Sequence, residues 1–339
     1  MVYSFQLWRH PNIHYREAVQ RLSRCELLAM LSSLSVETNI QEEYIGSAAF
    51  LTFESRPLSL AELAWLRRHS CIVFMAEKRD CFLLPLSVSS ASFLPEELPE
   101  VLKYKGKTSP AFSRMMLNTA LSMSRYAHSD LPVTVLDPLC GRGTGLFSAL
   151  LTGENAVGMD EDSRDLKEAS DYFSRFLKLH RLKHTLSVGS ETVRSHAVPS
   201  RVFRFAPTKE QFQKGDTRYL SLYEGDTALA ASLLKKSPAH ILIADLPYGV
   251  QHAPQTGRHP EPFQTMLLRA LPSWRKALRP GGAMALSFNT LTLKAETVRS
   301  MVSDAGFSLC DSPAFSGLSH TVEQAIIRDL VFATVPEHS

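Results

Sequence analysis

Two short motifs, about a hundred residues apart, combine residue types suited to holding a ligand and orienting a reactive group against it. The first is Asp137-Pro138, at the end of an apolar run, with Gly141, Gly143 and Gly145 in the turn that follows. The second is Asp245-Leu246-Pro247-Tyr248-Gly249, which also ends an apolar run. Either motif alone is weak evidence, because short glycine-rich turns are common. In this order they predict the two halves of one active site.

The glycine motif lies between a predicted strand, residues 133–136, and a predicted helix, residues 146–151. A tight strand-to-helix turn needs glycine where backbone approaches a ligand or adopts dihedral angles that a Cβ atom disfavours. The glycines stand two apart, unlike the G-x-G-x-x-G pattern of dinucleotide-binding turns. With the second motif, this turn predicts S-adenosylmethionine, whose methionine carboxylate would meet the first N–H groups of the helix. Cys140, within the turn, is expected to be a small packed residue.

A second acidic residue follows the next predicted strand, residues 156–159. Asp160 is placed at the tip of this strand, where a carboxylate can accept both ribose hydroxyls of a nucleoside. Glu161 and Asp162 are alternatives in the same turn, and Asp160 could instead cap the helix that follows, a position that Asp favours.

Two more aspartates end predicted strands. Asp226 follows residues 219–223 and would accept from the adenine amino group, although Asp216 stands in a similar Gly-Asp-Thr sequence. Asp245 follows residues 241–244. Ligands of open α/β sheets bind at the carboxyl ends of the strands, so these aspartates are expected at one edge of one sheet.

The second motif is suited to an exocyclic amine of a nucleic-acid base. Such an amine is a poor nucleophile, because its lone pair is delocalised into the ring. The Asp245 carboxylate and the Leu246 carbonyl would each accept one N–H and so turn the lone pair toward the methyl group. Asp245 is also the nearest acceptor for the proton, and Tyr248, after Pro247, would stack on a base turned out of its helix or loop. No cysteine stands beside this loop, which disfavours cysteine-dependent C5 methylation.

Composition is typical of a globular protein that contacts no membrane. The chain has 339 residues, 44% of them hydrophobic, a formal net charge of +3 and no apolar run of the ~18–20 residues that a membrane span requires. Its five cysteines form no C-x-x-C pair, which predicts a reducing, cytoplasmic location and no zinc or other metal site. Nothing at the start of the chain reads as a signal peptide.

The pattern of elements predicts an α/β protein with a small N-terminal α+β domain over residues 1–100. A Pro- and Ser-rich linker, residues 87–99, ends that domain. Residues 101–339 alternate strand and helix, which predicts a Rossmann-like, parallel sheet with helices on both faces.

A basic insert interrupts that alternation at about residues 184–218. Residues 178–218 contain nine lysines and arginines against three acidic residues. Aromatic residues alternate with arginine in Val202-Phe203-Arg204-Phe205. Such a segment suits phosphates and unstacked bases, so Arg201, Arg204 and Lys209 are predicted to bind RNA. The alternative is a solvated hairpin that decorates the sheet.

The two motifs resemble those of the class I S-adenosylmethionine-dependent amino-methyltransferases, and most of all the tRNA guanine-N2 methyltransferases associated with THUMP domains. Tyr104-Lys105-Gly106-Lys107-Thr108-Ser109 is similar to that family's Tyr-x-Gly-x-Thr-Ser segment, which lies beside the cofactor. The likeness covers about residues 103–335. Two features depart from the family: Leu246 stands where proline is usual, and the N-terminal region is short for a complete THUMP module, so it would be a reduced RNA-binding unit.

The resemblance implies an RNA methyltransferase that modifies the N2 amine of guanosine, with tRNA as the leading substrate. A DNA adenine-N6 or cytosine-N4 methyltransferase and an rRNA N-methyltransferase are the alternatives with the same chemistry. A non-catalytic scaffold that binds S-adenosylmethionine is the alternative from another class. The residues predicted to contact the cofactor are Thr108, Ser109, Asp137, Pro138, Cys140, Gly141, Gly143, Thr144, Asp160, Asp226, Thr227 and Asp245.

Overall fold

Two β-sheets, one of five strands and one of ten, organise the chain. The computed structural model describes residues 1–9, 13–88, 92–100, 102, 107–193, 195–247, 255–256, 259–260, 262–312, 315, 317–323 and 326–337. None of the helices in these ranges is both long and apolar enough to cross a membrane.

The five-stranded sheet forms the N-terminal unit. Its elements are β1 (Val2–Leu7), α1 (Ile13–Ser33), β2 (Gln41–Ile45), β3 (Ala48–Glu54), α2 (Leu60–Leu66), β4 (Ile72–Arg79) and β5 (Phe82–Pro85). The order β2-β3-β1-β4-β5, with all neighbours antiparallel, is a split β-α-β arrangement with one added strand. Tyr3, Phe5 and Leu7 alternate along β1 and are buried. This is the small α+β unit that the sequence predicted.

The remaining elements build the ten-stranded sheet and its helices. In chain order they are α3 (Pro110–Met123), β6 (Thr134–Asp137), α4 (Thr144–Leu151), β7 (Asn155–Asp160), α5 (Ser163–Leu179), β8 (Lys183–Val193), β9 (His196–Ala206), α6 (Lys209–Lys214), β10 (Arg218–Glu224), α7 (Ala230–Leu233), β11 (Ala239–Asp245), β12 (Gln255–Thr256), β13 (His259–Pro260), α8 (Phe263–Ala277), β14 (Leu278–Asn289), α9 (Ala295–Asp304), β15 (Ser308–Leu309), β16 (His320–Glu323) and β17 (Ile326–Thr334). A short 3-10 helix, Thr227–Leu229, precedes α7. Strands β12 and β13 pair only with each other among the described strands.

The large sheet has the strand order β15-β17-β14-β11-β6-β7-β10-β9-β8, with β16 paired to β17. Strands β14, β11, β6, β7 and β10 are parallel, whereas β17 and β9 run antiparallel to their neighbours. The Rossmann-like α/β prediction is therefore confirmed, but the sheet is mixed rather than wholly parallel. From β6 the chain proceeds to β7 and β10 on one side, then crosses back to β11 and β14 on the other. The gap between β6 and β11 is thus the topological switch point, where open α/β sheets bind ligands.

Helices cover both faces of this sheet because alternate strand residues face opposite ways. Val135 packs in the core that contains α3, whereas the next residue, Leu136, packs in the core that contains α8 and α9. The aromatic residues Phe203 and Phe205 of β9 pack against Phe173 of α5. Burial on both faces fixes the strands, and therefore the positions of the residues at their ends.

Helix α3 joins the N-terminal unit to the large sheet. Residues of α1, α3 and the central strands belong to one continuous hydrophobic core. Buried polar contacts also cross this boundary: the Glu26 carboxylate of α1 accepts the Ser70 backbone N–H at 2.9 Å and the Asn118 side-chain amide of α3 at 2.7 Å. The Asn118 amide also donates to the Arg68 carbonyl at 2.9 Å. The two units therefore share one core and a set of buried hydrogen bonds.

Candidate active site

The four aspartates that the sequence singled out lie at the carboxyl edge of the large sheet. Asp137, Asp160 and Asp245 are the last residues of β6, β7 and β11. Asp226 follows β10 by two residues and caps the 3-10 helix. Strands β11, β6 and β7 are adjacent in the sheet, and β10 lies next to β7. Together these four strands bring four carboxylates to the switch point.

Asp137 is the most buried of these carboxylates. Its side chain accepts the Leu139 backbone N–H at 3.3 Å. Burial, with smaller contributions from the nearby charges of Asp160 and Asp245, raises the pKa of Asp137 to about 8. These three acids are therefore close enough to repel one another, and a ligand that carries positive charge would relieve that repulsion.

The glycine turn has the backbone geometry that glycine alone adopts easily. Gly141 and Gly143 have φ values of 48° and 85°. Gly143 is the N-cap of α4 and offers no side chain to cap it. The Gly143 N–H donates to the Cys140 carbonyl at 2.8 Å, which closes the turn. The first turn of α4 therefore points its N–H groups toward the sheet edge without a side-chain cap, as an anion-binding helix start requires.

Gly145 leaves room for the Asp137 carboxylate. A Cβ atom at position 145 would lie 2.7 Å from Asp137 Oδ2 and 2.9 Å from Ile243 Cδ1. Both distances are shorter than real Cβ contacts, so any side chain here would displace the Asp137 carboxylate or the Ile243 side chain of β11. Glycine at this position therefore keeps Asp137 in place over the start of α4.

Asp160 holds the glycine turn in position. One of its carboxylate oxygens accepts the Gly141 N–H at 2.7 Å, and the other accepts the Asp162 N–H at 2.9 Å. Burial raises the pKa of the Asp160 carboxyl. The helix cap is Asp162, which accepts from Arg164 and Asp165 at the start of α5. A carboxylate has about four lone-pair positions, so Asp160 retains capacity for ribose hydroxyls.

The other residues around the turn are mostly held by packing. Pro138, Cys140, Gly143 and Thr144 are buried. The Cys140 sulfur lies against Gly158, where a Cβ atom would approach it to 2.8 Å. Burial raises the pKa of the Cys140 thiol well above its usual value. Cys140 is thus a packed, protonated residue.

Asp226 and Thr227 have partners on α8. Asp226 accepts the Ala228 N–H at 2.8 Å and forms an ion pair with Arg269. The buried Thr227 hydroxyl accepts the Trp274 indole N–H at 2.9 Å. These contacts fix the loop after β10 against α8. Contact of either residue with adenine stays a prediction.

The second motif begins in the described chain and continues outside it. The Leu246 N–H donates to the Ser287 carbonyl of β14 at 2.9 Å, and the Leu246 side chain is buried. Pro247 is half-buried. Tyr248 and Gly249 lie outside the described residues, as do Tyr104, Lys105 and Gly106. The predicted roles of those five residues stay predictions.

The Asp245 carboxylate is held by side chains from two distant segments. The Thr108 hydroxyl donates to Asp245 Oδ2, and Arg328 Nη2 of β17 lies 3.7 Å from the same oxygen. The structure therefore brings Thr108 to the second motif, while its neighbour Ser109 is exposed at the start of α3. Thr108 was predicted beside the cofactor; its hydrogen bond places it at the junction of the two half-sites.

Arg328 was not predicted from the sequence, nor were the residues that enclose it. Its guanidinium lies 4.2 Å from the centre of the Phe112 ring, a cation–π contact. The centre of the His320 ring lies 5.9 Å from the centre of the Phe112 ring. Burial, with a smaller contribution from the Arg328 charge, lowers the pKa of His320. Arg328 thus provides a buried cation directly behind Asp245.

The residues predicted to bind RNA do not form one surface. Arg201 and Arg204 are three residues apart on β9, and side chains alternate along a strand, so they face opposite sides of the hairpin. Arg204 and Lys209, on α6, are exposed, whereas Arg201 is half-buried. The insert is a long β8–β9 hairpin that adds two strands to the edge of the sheet after β10.

No protein-family model matches the chain, and no curated protein matches it in sequence. Many solved structures resemble it weakly. A TehB-like SAM-dependent methyltransferase from Corynebacterium glutamicum is 13% identical with a TM-score of 0.37, over 62% of this chain and 83% of the other. TrmN from Thermus thermophilus is 16% identical with a TM-score of 0.37, over 88% of this chain and 60% of TrmN. An rRNA methylase from Streptococcus thermophilus is 13% identical with a TM-score of 0.37, over 69% of this chain and 99% of the methylase. Likenesses this low carry no argument about function. The function is therefore inferred from the geometry of the site alone.

Proposed function

We propose that this chain is an S-adenosylmethionine-dependent methyltransferase that modifies the N2 amine of a guanosine in RNA, with tRNA as the leading substrate. The observation that carries the proposal is the position of Asp245. It lies at the switch point beside the glycine turn, with one carboxylate oxygen held by Thr108 and Arg328.

The charges and shape of the first half-site support S-adenosylmethionine as the cofactor. Its sulfonium and ammonium groups are cationic, and Asp137 and Asp160 place two acidic side chains together at the switch point. Its carboxylate suits the N–H groups at the start of α4. Gly145, which leaves space over Asp137, and Asp160, which fixes the turn, would hold this cofactor.

The second half-site supports an amine as the methyl acceptor. The bound cofactor would supply the methyl group, with the carbon–sulfur bond breaking as the bond to nitrogen forms. Asp245 would accept one N–H of the amine, and the Leu246 carbonyl would accept the other, so that the nitrogen lone pair points at the methyl carbon. After transfer, the surplus proton on nitrogen passes to the Asp245 carboxylate.

Thr108 and Arg328 would act through Asp245. Both lie at Oδ2, so they fix the rotation of the carboxylate that would address the amine. Orientation of this kind can contribute a large part of a rate enhancement, because a misplaced acceptor loses alignment of the reacting atoms.

The hairpin and α6 supply a basic surface for the RNA backbone. Arg204 and Lys209 are exposed and suited to phosphate contacts, which carry affinity but no base specificity. Neutralising Arg201, Arg204 and Lys209 together should weaken RNA binding and reduce its salt dependence. The half-buried Arg201, on the opposite face, should contribute least.

Methyl transfer from labelled S-adenosylmethionine to bulk tRNA, rRNA and duplex DNA tests the proposed substrate class. Nucleoside mass spectrometry of the labelled product then names the modified base. N2-methylguanosine in tRNA is the expected product. Label in DNA alone would contradict the RNA proposal, and cofactor binding without label in any of the three would favour the scaffold.

A further inference from the structure

Strand β8 is a long, exposed edge of the ten-stranded sheet. It runs for 11 residues and pairs with β9 in unbroken register from Lys183–Ala206 to Val193–His196. It has no partner on its other side among the strands of the described chain. Nine of its residues are exposed. Globular strands average about five or six residues, so this edge is unusually long.

The edge lacks the features by which proteins usually prevent edge-to-edge pairing. Such edges are normally short, bulged, interrupted by proline or charged near their middle. The centre of β8, residues 185–190, contains no charge and no proline, and its pairing with β9 shows no bulge. Leu186 and Val188 expose 42% and 71% of their surface there. Both share one face of the strand, because they are two residues apart.

We propose that β8 pairs with β8 of a second copy of this chain, antiparallel, around a two-fold axis at Ser187. The sequence of the strand is self-complementary in this register. Lys183 of one copy lies opposite Glu191 of the other, and Leu186 lies opposite Val188, each pair occurring twice. Cβ atoms of directly opposite residues are about 5 Å apart, close enough for the ion pairs and the apolar contacts to form.

The pairing joins the two ten-stranded sheets into one continuous sheet. Equivalent faces of the two copies then lie on the same side of that sheet. Arg204 lies opposite Thr185 in the β8–β9 register and is exposed. The two-fold axis stands perpendicular to the sheet, so Arg204 of both copies faces the same side. The pair would therefore present twice the basic surface of one chain. The pairing itself does not depend on the proposed methyltransferase activity.

Charge reversal in the full chain tests this register. Sedimentation equilibrium should show a species of twice the chain mass of 37.8 kDa. Lys183→Glu and Glu191→Lys, made singly, each place like charges opposite each other twice and should weaken self-association about tenfold. The double variant restores opposite charges and should recover association. Single and double variants that associate equally would overturn the register.

The central apolar pair and the axis give two further tests. Val188→Lys should yield monomers, whereas Leu179→Lys, at a residue 78% exposed on α5, is the matched control and should still associate. Ser187→Cys, in a Cys81→Ser background that removes an exposed thiol, should form a disulfide between copies, and Thr185→Cys should not. A wild-type chain that stays monomeric up to its solubility limit would refute the proposal, and would leave the edge to a different partner.

Discussion

Replacing Arg328 with methionine should slow methyl transfer while leaving cofactor affinity unchanged. The two charges are 3.7 Å apart. At an effective dielectric constant of about 20, their Coulomb energy is about 4.5 kcal/mol. Breaking a buried ion pair costs about 3–5 kcal/mol, but the Asp245 side chain is 19% exposed and keeps its Thr108 hydrogen bond. We therefore expect a loss of about 2 kcal/mol in transition-state stabilisation, which is about 30-fold in kcat.

A double-variant cycle separates this role from general destabilisation. Thr108→Val removes the other group at Oδ2 and should cost about tenfold in kcat. Because either loss frees the same carboxylate, the double variant should be about 50-fold slower rather than the product of the single effects. Arg218→Met is the matched control, since Arg218 also stacks on a phenylalanine, at 4.5 Å, and pairs with an aspartate, at 2.9 Å, but lies away from the site.

Single-turnover methyl transfer and calorimetry with S-adenosylhomocysteine provide the two readouts. Arg328→Met should reduce the rate and keep the affinity, and Arg328→Lys should recover part of the rate. The positioning role would be refuted if the double variant lost rate by the full product of the two single effects. It would also be refuted if Arg218→Met slowed methyl transfer as much as Arg328→Met.

Three further variants test other parts of the site. Asp137 has a folded pKa of about 8 against an ordinary value of 3.8, so the unliganded chain should lose stability as the pH rises between these values. In thermal scans at pH 8, Asp137→Asn should therefore unfold at a higher temperature than wild type. In calorimetry, the same variant should bind S-adenosylmethionine more weakly. Gly145→Ala should reduce cofactor affinity at least tenfold, because its Cβ would meet Asp137 and Ile243, whereas Gly189→Ala, with no atom within 4 Å, should bind like wild type. Arg204→Ala should lower RNA affinity and flatten its salt dependence more than Arg201→Ala, and equal slopes in a salt titration would assign the hairpin to a structural role.

Sequence reasoning located the strand ends and the glycine turn of the candidate site because these features are local. Apolar runs that end in aspartate mark the ends of buried strands, and the carboxyl ends of parallel strands share one edge. Asp137, Asp160 and Asp245 therefore lie at the ends of their strands, as predicted. The glycine turn is equally local, since its dihedral angles depend on Gly141 and Gly143 themselves.

The support behind Asp245 could not be predicted in the same way. Thr108 is separated from Asp245 by 137 residues, and Arg328 reaches it only because β17 runs antiparallel beside β14. Neither contact leaves a local pattern, although one arginine in the apolar strand β17 is a signal that could have been noticed. The placement of Arg201 and Arg204, by contrast, could have been predicted. Side chains alternate along a strand, so two residues three positions apart lie on opposite faces.

Asp245→Ala tests the central claim most directly. The variant should bind S-adenosylhomocysteine with an affinity close to wild type, because its carboxylate addresses the acceptor rather than the glycine turn. Methyl transfer to RNA should fall by at least about a thousandfold, since both the orientation of the amine and the acceptor for its proton are lost. Transfer at the wild-type rate, with cofactor binding intact, would contradict the proposed active site.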